Sequence, residues 1–248
     1  MSKFESIVNH VSLVSETNGC YVEKRYADIA LGTGIPIPLL RFEVEHRILD
    51  NLQSINDASA IHISVPKVHE VNAFTPSLKI KYIEGETLSN QLRKEGTLGG
   101  DFFQLGRWLR FAEVELYSKR DDIFRGLWKI QAETAKVMAA LKGEFQSLVT
   151  VYYTEKSVSL GDVGLDNLIW SPAKLWVIDF EFAHVSIAAR DIGQLWAQLD
   201  VNLNKPNNIG KRLIEGYVSA GGSLVLAQAW KDTFYFYYKN KKNILIKL

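Results

Sequence analysis

The sequence predicts an α+β chain in two lobes: a small antiparallel β lobe carrying one helix, then a larger, mainly helical lobe. Three observations predict it. Up to Glu84 the apolar residues fall in short β-branched runs bounded by turn formers, with one helical pattern among them. From Gly85 to Leu148 they recur at three- and four-residue spacing, the stripe of amphipathic helices. A single return to strand-turn-strand follows before the helical pattern resumes. The boundary near Glu84 gives lobes of 1–84 and 85–248, and 248 residues suit two lobes sharing a cleft.

The first element is a hairpin, Ile7 to Tyr26, whose runs His10–Val14 and Cys20–Tyr26 flank a turn at Ser15–Gly19. A loop with Gly32, Gly34, Pro36 and Pro38 leads into a helix over Leu39–Leu52. On that helix Glu45 shares a face with Phe42, Ile48, Leu49 and Leu52, whereas Glu43 lies with His46, Arg47 and Asp50 on a solvated stripe. A carboxylate on an apolar face is costly without a partner, so Glu45 calls for one. After a polar loop (Ser54–Ser59) come two strands, Ile61–Val71 and Ser77–Glu84. The larger lobe opens with a short helix over Gly85–Gly96, where Thr87 can cap. Asp101–Lys119 carries a stripe of Phe102, Leu105, Leu109, Ala112 and Leu116; Asp122–Leu148 carries Leu127, Ile130, Val137, Met138 and Leu141. Later helices start at Asp191, at Ile209 and at Leu224, the last rich in aromatic residues (Trp230, Phe234, Phe236, Tyr237, Tyr238). These stripes read as core, and no cofactor site is drawn from them.

The chemistry is concentrated between Val158 and Ala183. An acid sits in a glycine-flanked loop, Gly161-Asp162-Val163-Gly164, with Asn167 five positions on. Apolar runs Leu168–Trp170 and Leu175–Ile178 flank a turn at Ser171–Lys174, and a second acid, Asp179, follows. Asp and Asn form turns unaided; the spacing carries the signal. A loop and hairpin bring two carboxylates and one carboxamide to one end, a hard-oxygen set suited to Mg²⁺, which shares its shell with phosphates.

This segment resembles the catalytic stretch of the protein-kinase-like fold, in the form used by the aminoglycoside phosphotransferase and choline kinase-like superfamily: HGDxxxxN, an apolar strand, then IDxE or IDF. The resemblance implies an ATP- and Mg²⁺-dependent kinase of small molecules, with Asp162 as catalytic base and Asn167 and Asp179 holding metal. It implies that Lys24 meets the α and β phosphates and that Glu45 pairs with it. The run Tyr82-Ile83-Glu84-Gly85 resembles the family's hinge, where the carbonyl of Lys81 and the amide of Ile83 would hold adenine. Asp191 matches a family aspartate that braces the catalytic loop. One departure stands out: Leu160 occupies the place of the family histidine and can fill its space without its hydrogen bond. That departure, with a hairpin loop poor in glycine, suits the alternative of a kinase-like pseudoenzyme acting as a binding or scaffold protein. Such a protein would have no need to keep Asp162, Asn167 and Asp179 together. A protein kinase fits less well, since only eleven residues separate Asp179 from Asp191 where an activation loop would lie.

Net charge is +1, so no polyelectrolyte attraction to nucleic acid is expected. The single cysteine, Cys20, rules out an internal disulfide, and no apolar run approaches the ~20 residues of a membrane span. A cytoplasmic protein is the expectation. From Leu203 onward eight basic residues face two acids, a local charge of +6 against −5 for the rest. That sign disfavours a polycationic acceptor and points to a neutral or anionic hydroxyl compound, a sugar or a glycolipid precursor. In the glycolipid case the basic C-terminus would rest against the anionic inner face of a membrane.

Overall fold

The computed structural model describes residues 3–5, 9–26, 41–58, 62–96, 98–128, 132, 134–136, 155–172, 174–203 and 208–245. Alternation along the first hairpin is realised as β2 (Asn9–Glu16) and β3 (Gly19–Tyr26), paired antiparallel from Asn9–Tyr26 to Glu16–Gly19. Pairing runs on through Ser15 and Glu16, so the turn shrinks from the expected Ser15–Gly19 to Thr17 and Asn18. A short strand, β1 (Lys3–Glu5), edges β2. With β5 (Val68–Asn72) and β6 (Ser77–Lys81) these form a five-stranded antiparallel sheet in the order β1-β2-β3-β6-β5.

The single strand expected over Ile61–Val71 is divided. Ile63–Ser64 (β4) leaves that sheet and pairs in parallel with β10 (Leu175–Val177). Pro66 lies between the two pieces and has no N–H to offer a ladder. The helix expected to end at Leu52 extends as α1 (Arg41–Ala58), since nothing in the polar stretch from Ser54 onward is Gly or Pro. Its start at Leu39, like the loop before it, lies outside the described residues.

Thr87 caps α2 (Leu88–Glu95) by accepting from the Asn90 N–H at 3.2 Å. Asp101 caps α3 (Phe102–Ser118), accepting from the N–H groups of Phe103 and Gln104. The helix expected from Asp122 is interrupted: α4 (Arg120–Ile123) ends at once in a turn through Gly126, and most of 129–148 is outside the described residues.

A second sheet runs β4-β10-β9-β7, with β7 (Glu86–Thr87) and β9 (Leu168–Trp170). Strands β8 (Lys156–Ser159) and β11 (His184–Ile187) pair antiparallel as a separate two-stranded sheet. Helices α5 (Arg190–Leu203), α6 (Asn208–Ser219) and α7 (Leu224–Leu245) complete the fold. One apolar core runs from Ile48 and Leu52 of α1 through Leu105 and Trp108 of α3 to Leu195, Leu213 and Phe234. This is the mixed, two-part α+β architecture expected from the sequence.

Two glycines set how closely α3 and α6 approach. A Cβ at Gly106 would stand 2.0 Å from the Leu213 carbonyl oxygen, and one at Gly216 1.9 Å from the Phe103 carbonyl oxygen. Neither obstacle is a side chain that can swing away. Gly216→Ala should therefore destabilise by about 2 kcal/mol despite alanine's better helix propensity. The expected loss of about 4–8 °C in Tm is read by thermal denaturation.

Candidate active site

The geometry begins with Lys24, on the inward face of β3. Its Nζ lies 2.7 Å from Oε2 of Glu45, 2.5 Å from Oδ1 of Asp179 and 3.5 Å from Oε2 of Glu181. Of the two glutamates on α1, the one on the apolar face is thus the one that meets the lysine. Glu43 instead pairs with Arg47 at 3.1 Å on the outer surface. Glu45 also accepts from the Tyr26 hydroxyl and from the Phe180 N–H. Glu181 accepts from Arg41 and from the Asn9 amide, each at 2.7 Å. Burial alone would lower the Lys24 pKa, but Asp179, Glu181 and Glu45 reverse that and hold it above the usual lysine range. Burial pushes the Glu181 carboxyl up, with Lys24 and Arg41 pulling against it.

Glu45, Asp179 and Glu181 bring carboxylate oxygens within 4.8 Å of one another, the one such group among the described residues. They do not serve alike. Glu45 and Glu181 side chains are 2% and 3% exposed and committed to internal cations, whereas Asp179 is 33% exposed. Asp179 is held at φ 70°, a left-handed conformation that aspartate tolerates better than most residues. A divalent cation would therefore meet Asp179 first, and oxygen donors suit Mg²⁺.

Asp162 and Asn167 lie in the loop between β8 and β9. The Asn167 amide nitrogen donates to the Asp162 carbonyl at 2.9 Å, which turns the amide oxygen toward the other side. The carbonyl of Asn167 accepts from the Ile178 N–H, tying this loop to the strand that delivers Asp179. Gly161 sits at φ 94°, and a Cβ there would come 2.3 Å from the Phe182 carbonyl oxygen. Lys81 closes β6 and gives its N–H to the Lys67 carbonyl at 2.9 Å, while Ile83 is buried. Neither joins the Lys24 cluster.

The loop is braced from α5. Asp191 accepts from the Leu160 N–H and from the Ser159 hydroxyl, both at 2.6 Å. Arg190, 1% exposed, donates to the Gly161 carbonyl at 3.0 Å and to the Ser159 hydroxyl at 3.1 Å. Leu160 is packed into the core, with the Arg190 guanidinium on the neighbouring Gly161 carbonyl. Gln194 donates to Oδ1 of Asp162 at 2.8 Å, and Gln198 accepts from the Leu165 N–H at 2.8 Å. The turn feeding α5 is fixed by Glu113 of α3, which accepts from the Ala189 N–H at 2.7 Å and from the Tyr217 hydroxyl at 2.8 Å. Ala189 is at φ 66°.

With this geometry in view, comparison with known proteins is informative. A family model described as "Phosphotransferase enzyme family" matches residues 9–231. The chain belongs to this phosphotransferase family. The phosphotransferase also resembles solved structures of kinases. An ethanolamine kinase of Plasmodium vivax gives a TM-score of 0.56 at 13% identity, over 95% of this chain and 72% of that one. A choline kinase of Cryptosporidium parvum gives 0.56 at 13% identity, over 95% and 79%. The streptomycin–ATP complex of the aminoglycoside phosphotransferase APH(2")-IIa gives 0.55 at 14%, over 96% and 83%. At such identities the likeness establishes the kinase-like fold alone. A search of curated proteins returned no match.

Sequence reading missed Arg41, Asn9 and Glu181 in the charge cluster, and Arg190, Gln194 and Glu113 around the loop. Glu181 had a signal, two residues after Asp179 in the Ile-Asp-Phe-Glu run. Arg190 and Gln194 had one too, polar residues on a helix otherwise striped with apolar ones.

Burial raises the Glu113 carboxyl to about 7, with Tyr217 opposing and Asp191 adding to the shift. Between the ordinary 4.5 and 7 the folded protein holds a proton that the unfolded chain releases. This contribution to stability is full below pH 4.5 and is lost as pH rises to 7, on the order of 3 kcal/mol. Tm measured across that range should fall less steeply with pH in Glu113→Gln than in the parent.

Proposed function

We propose that this phosphotransferase moves the γ-phosphoryl group of ATP to a hydroxyl of a neutral or anionic small molecule, a sugar or a glycolipid precursor. The observation that carries the reading is the junction at Lys24. One ammonium joins Glu45 of α1 to Asp179 of the metal-facing loop, and the Asn167 carbonyl ties that loop to the loop of Asp162.

Nucleotide phosphates enter beside Lys24, and Glu45 holds the lysine against rotation. Adenine lies against the main chain at Lys81 and Ile83, two residues apart, the spacing at which extended backbone groups share an edge. The boundary between the nucleotide lobe and the acceptor lobe falls near Glu84. Asp179 and the Asn167 amide oxygen would hold Mg²⁺, which when bound would neutralise charge on the phosphates. Asp162 orients the acceptor hydroxyl and takes its proton. The hydroxyl oxygen bonds to the γ-phosphorus as the bond from that phosphorus to the β–γ bridging oxygen breaks, and ADP leaves. Positioning dominates, because proton transfer is late in a loose transition state.

The acceptor class rests on charge and on aromatic faces. The segment after Leu203 is basic, though Lys205 and Lys247 lie outside the described residues. Three rings of α5 and α7 are already covered by the chain's own cations: Lys231 lies 4.4 Å from the Trp196 centroid, Arg190 5.3 Å from Phe234 and Lys239 5.7 Å from Tyr235. Rings engaged this way offer less to an alkylammonium acceptor. A glycolipid acceptor would bring this basic end to an anionic membrane surface; among the described residues no helix is long and apolar enough to cross one.

Two measurements follow. Mg-ATP should raise Tm, and Asp179→Ala should lose most of that shift while Asp162→Ala keeps it, since Asp162 meets only the acceptor. Saturating ligand at a hundredfold excess over Kd contributes about 2.7 kcal/mol, well within detection; a flat melting curve would favour a pseudoenzyme. In an acceptor screen coupled to ADP release, saccharides and sugar phosphates should turn over, and aminoglycosides and choline should not. The reverse pattern would overturn the acceptor class.

A further inference from the structure

The catalytic loop lies along a polar face of α5 on which residues 190, 194 and 198 recur one turn apart. The outer two hold main chain: Arg190 the Gly161 carbonyl, Gln198 the Leu165 N–H. Between them Gln194 reaches the carboxylate of Asp162.

Gln194 is fully buried, at 0% exposure, and an amide there is costly unless both ends are engaged. Its Oε1 lies 3.5 Å from Nη1 of Arg190 and its Nε2 2.8 Å from Oδ1 of Asp162. These partners leave the amide one orientation. A guanidinium can only donate, so the amide oxygen must face Arg190. The nitrogen is then compelled to point at the carboxylate. Arg190 is itself clamped by the Gly161 carbonyl and the Ser159 hydroxyl and lies over the Phe234 ring. The amide dipole thus lies between a backbone-held guanidinium and the Asp162 carboxylate to which it donates.

We infer that Gln194 is a positioning residue for phosphoryl transfer, an amide oriented by Arg190 that fixes the plane and rotamer of the Asp162 carboxylate against the acceptor hydroxyl. This inference rests on the role given to Asp162 above. A helix-borne amide one turn beyond Arg190 does here what a loop side chain could do only with more freedom. It touches neither nucleotide nor acceptor, so its effect belongs to turnover rather than to nucleotide binding.

The test uses the full-length protein with Mg-ATP, reading ADP release with water as acceptor and with the best saccharide of the screen. Gln194→Leu keeps the volume and removes the donor. It should lower kcat about ten- to hundredfold while KM for ATP and the Mg-ATP thermal shift stay within about twofold. Gln194→Asn, which keeps a shorter amide, should recover part of the loss. Introduced into Asp162→Asn, Gln194→Leu should add less than about twofold, because the group it positions is already altered. Unchanged kcat in Gln194→Leu would overturn the inference. So would an equal fall in the Asp162→Asn background, or a parallel loss of the thermal shift, which would mark Gln194 as a general structural support. If Asp162→Asn itself turns over like the parent, the role of Asp162 is wrong and this inference falls with it. A folded Asp162→Asn that is inactive beside a fully active Gln194→Leu rejects the positioning role alone.

Discussion

Everything at this site depends on a lysine ammonium buried among three carboxylates. Lys24 comes from β3, Glu45 from α1, and Asp179 and Glu181 from the segment between β10 and β11. Three acids against Lys24 and Arg41 leave one negative charge if all are ionised, so the cluster is nearly balanced. Near balance matters, because a buried charge left without its partner is destabilising by several kcal/mol. The sheet, the helix and the loop are thus held in one relative placement, and only Asp179 keeps an edge toward solvent. The constraint that joins β3, α1 and the segment after β10 is also the one on which the proposed nucleotide site rests.

A second constraint works on the loop that carries Asp162. The loop of Asp162 is anchored by Leu160, Val163 and Leu165 in the core, which leaves its polar main chain and the Asp162 carboxylate to find partners elsewhere. It is placed by α5, through Asp191 on the Leu160 N–H, Arg190 on the Gly161 carbonyl and Gln194 on the carboxylate. Glu113 fixes the left-handed turn at Ala189 from which α5 starts. A chain of buried polar contacts therefore runs from α3 to Asp162, with the helices held at close range by glycine at 106 and 216. The loop that carries Leu160 is braced by a buried guanidinium, that of Arg190.

Much of this was legible in the sequence. Helix periodicity separated Glu45 from Glu43, and the spacing of Asp162, Asn167 and Asp179 pointed to the candidate site. Thr87 and Asp101 announced their helix starts as local capping chemistry does. What stayed hidden is what depends on tertiary placement. Ile63–Ser64 reads as part of one strand with Val68, but its partner is β10, more than a hundred residues away. Nothing in the sequence marks Arg41 as buried, because a sequence shows charge but not the partners that make its burial tolerable. The extension of α1 past Leu52 is masked by the polar run that follows, although polarity by itself breaks no helix.

The account stands on the claim that the Lys24 junction is where nucleotide phosphates bind. Calorimetric titration of Mg-ATP into the parent protein and into Lys24→Met tests it most directly. The parent should bind one equivalent saturably, and the variant, if still folded by circular dichroism, should bind at least about tenfold more weakly, a loss of about 1.4 kcal/mol or more. Equal affinity in the two proteins would contradict the account and remove Lys24 from the nucleotide site.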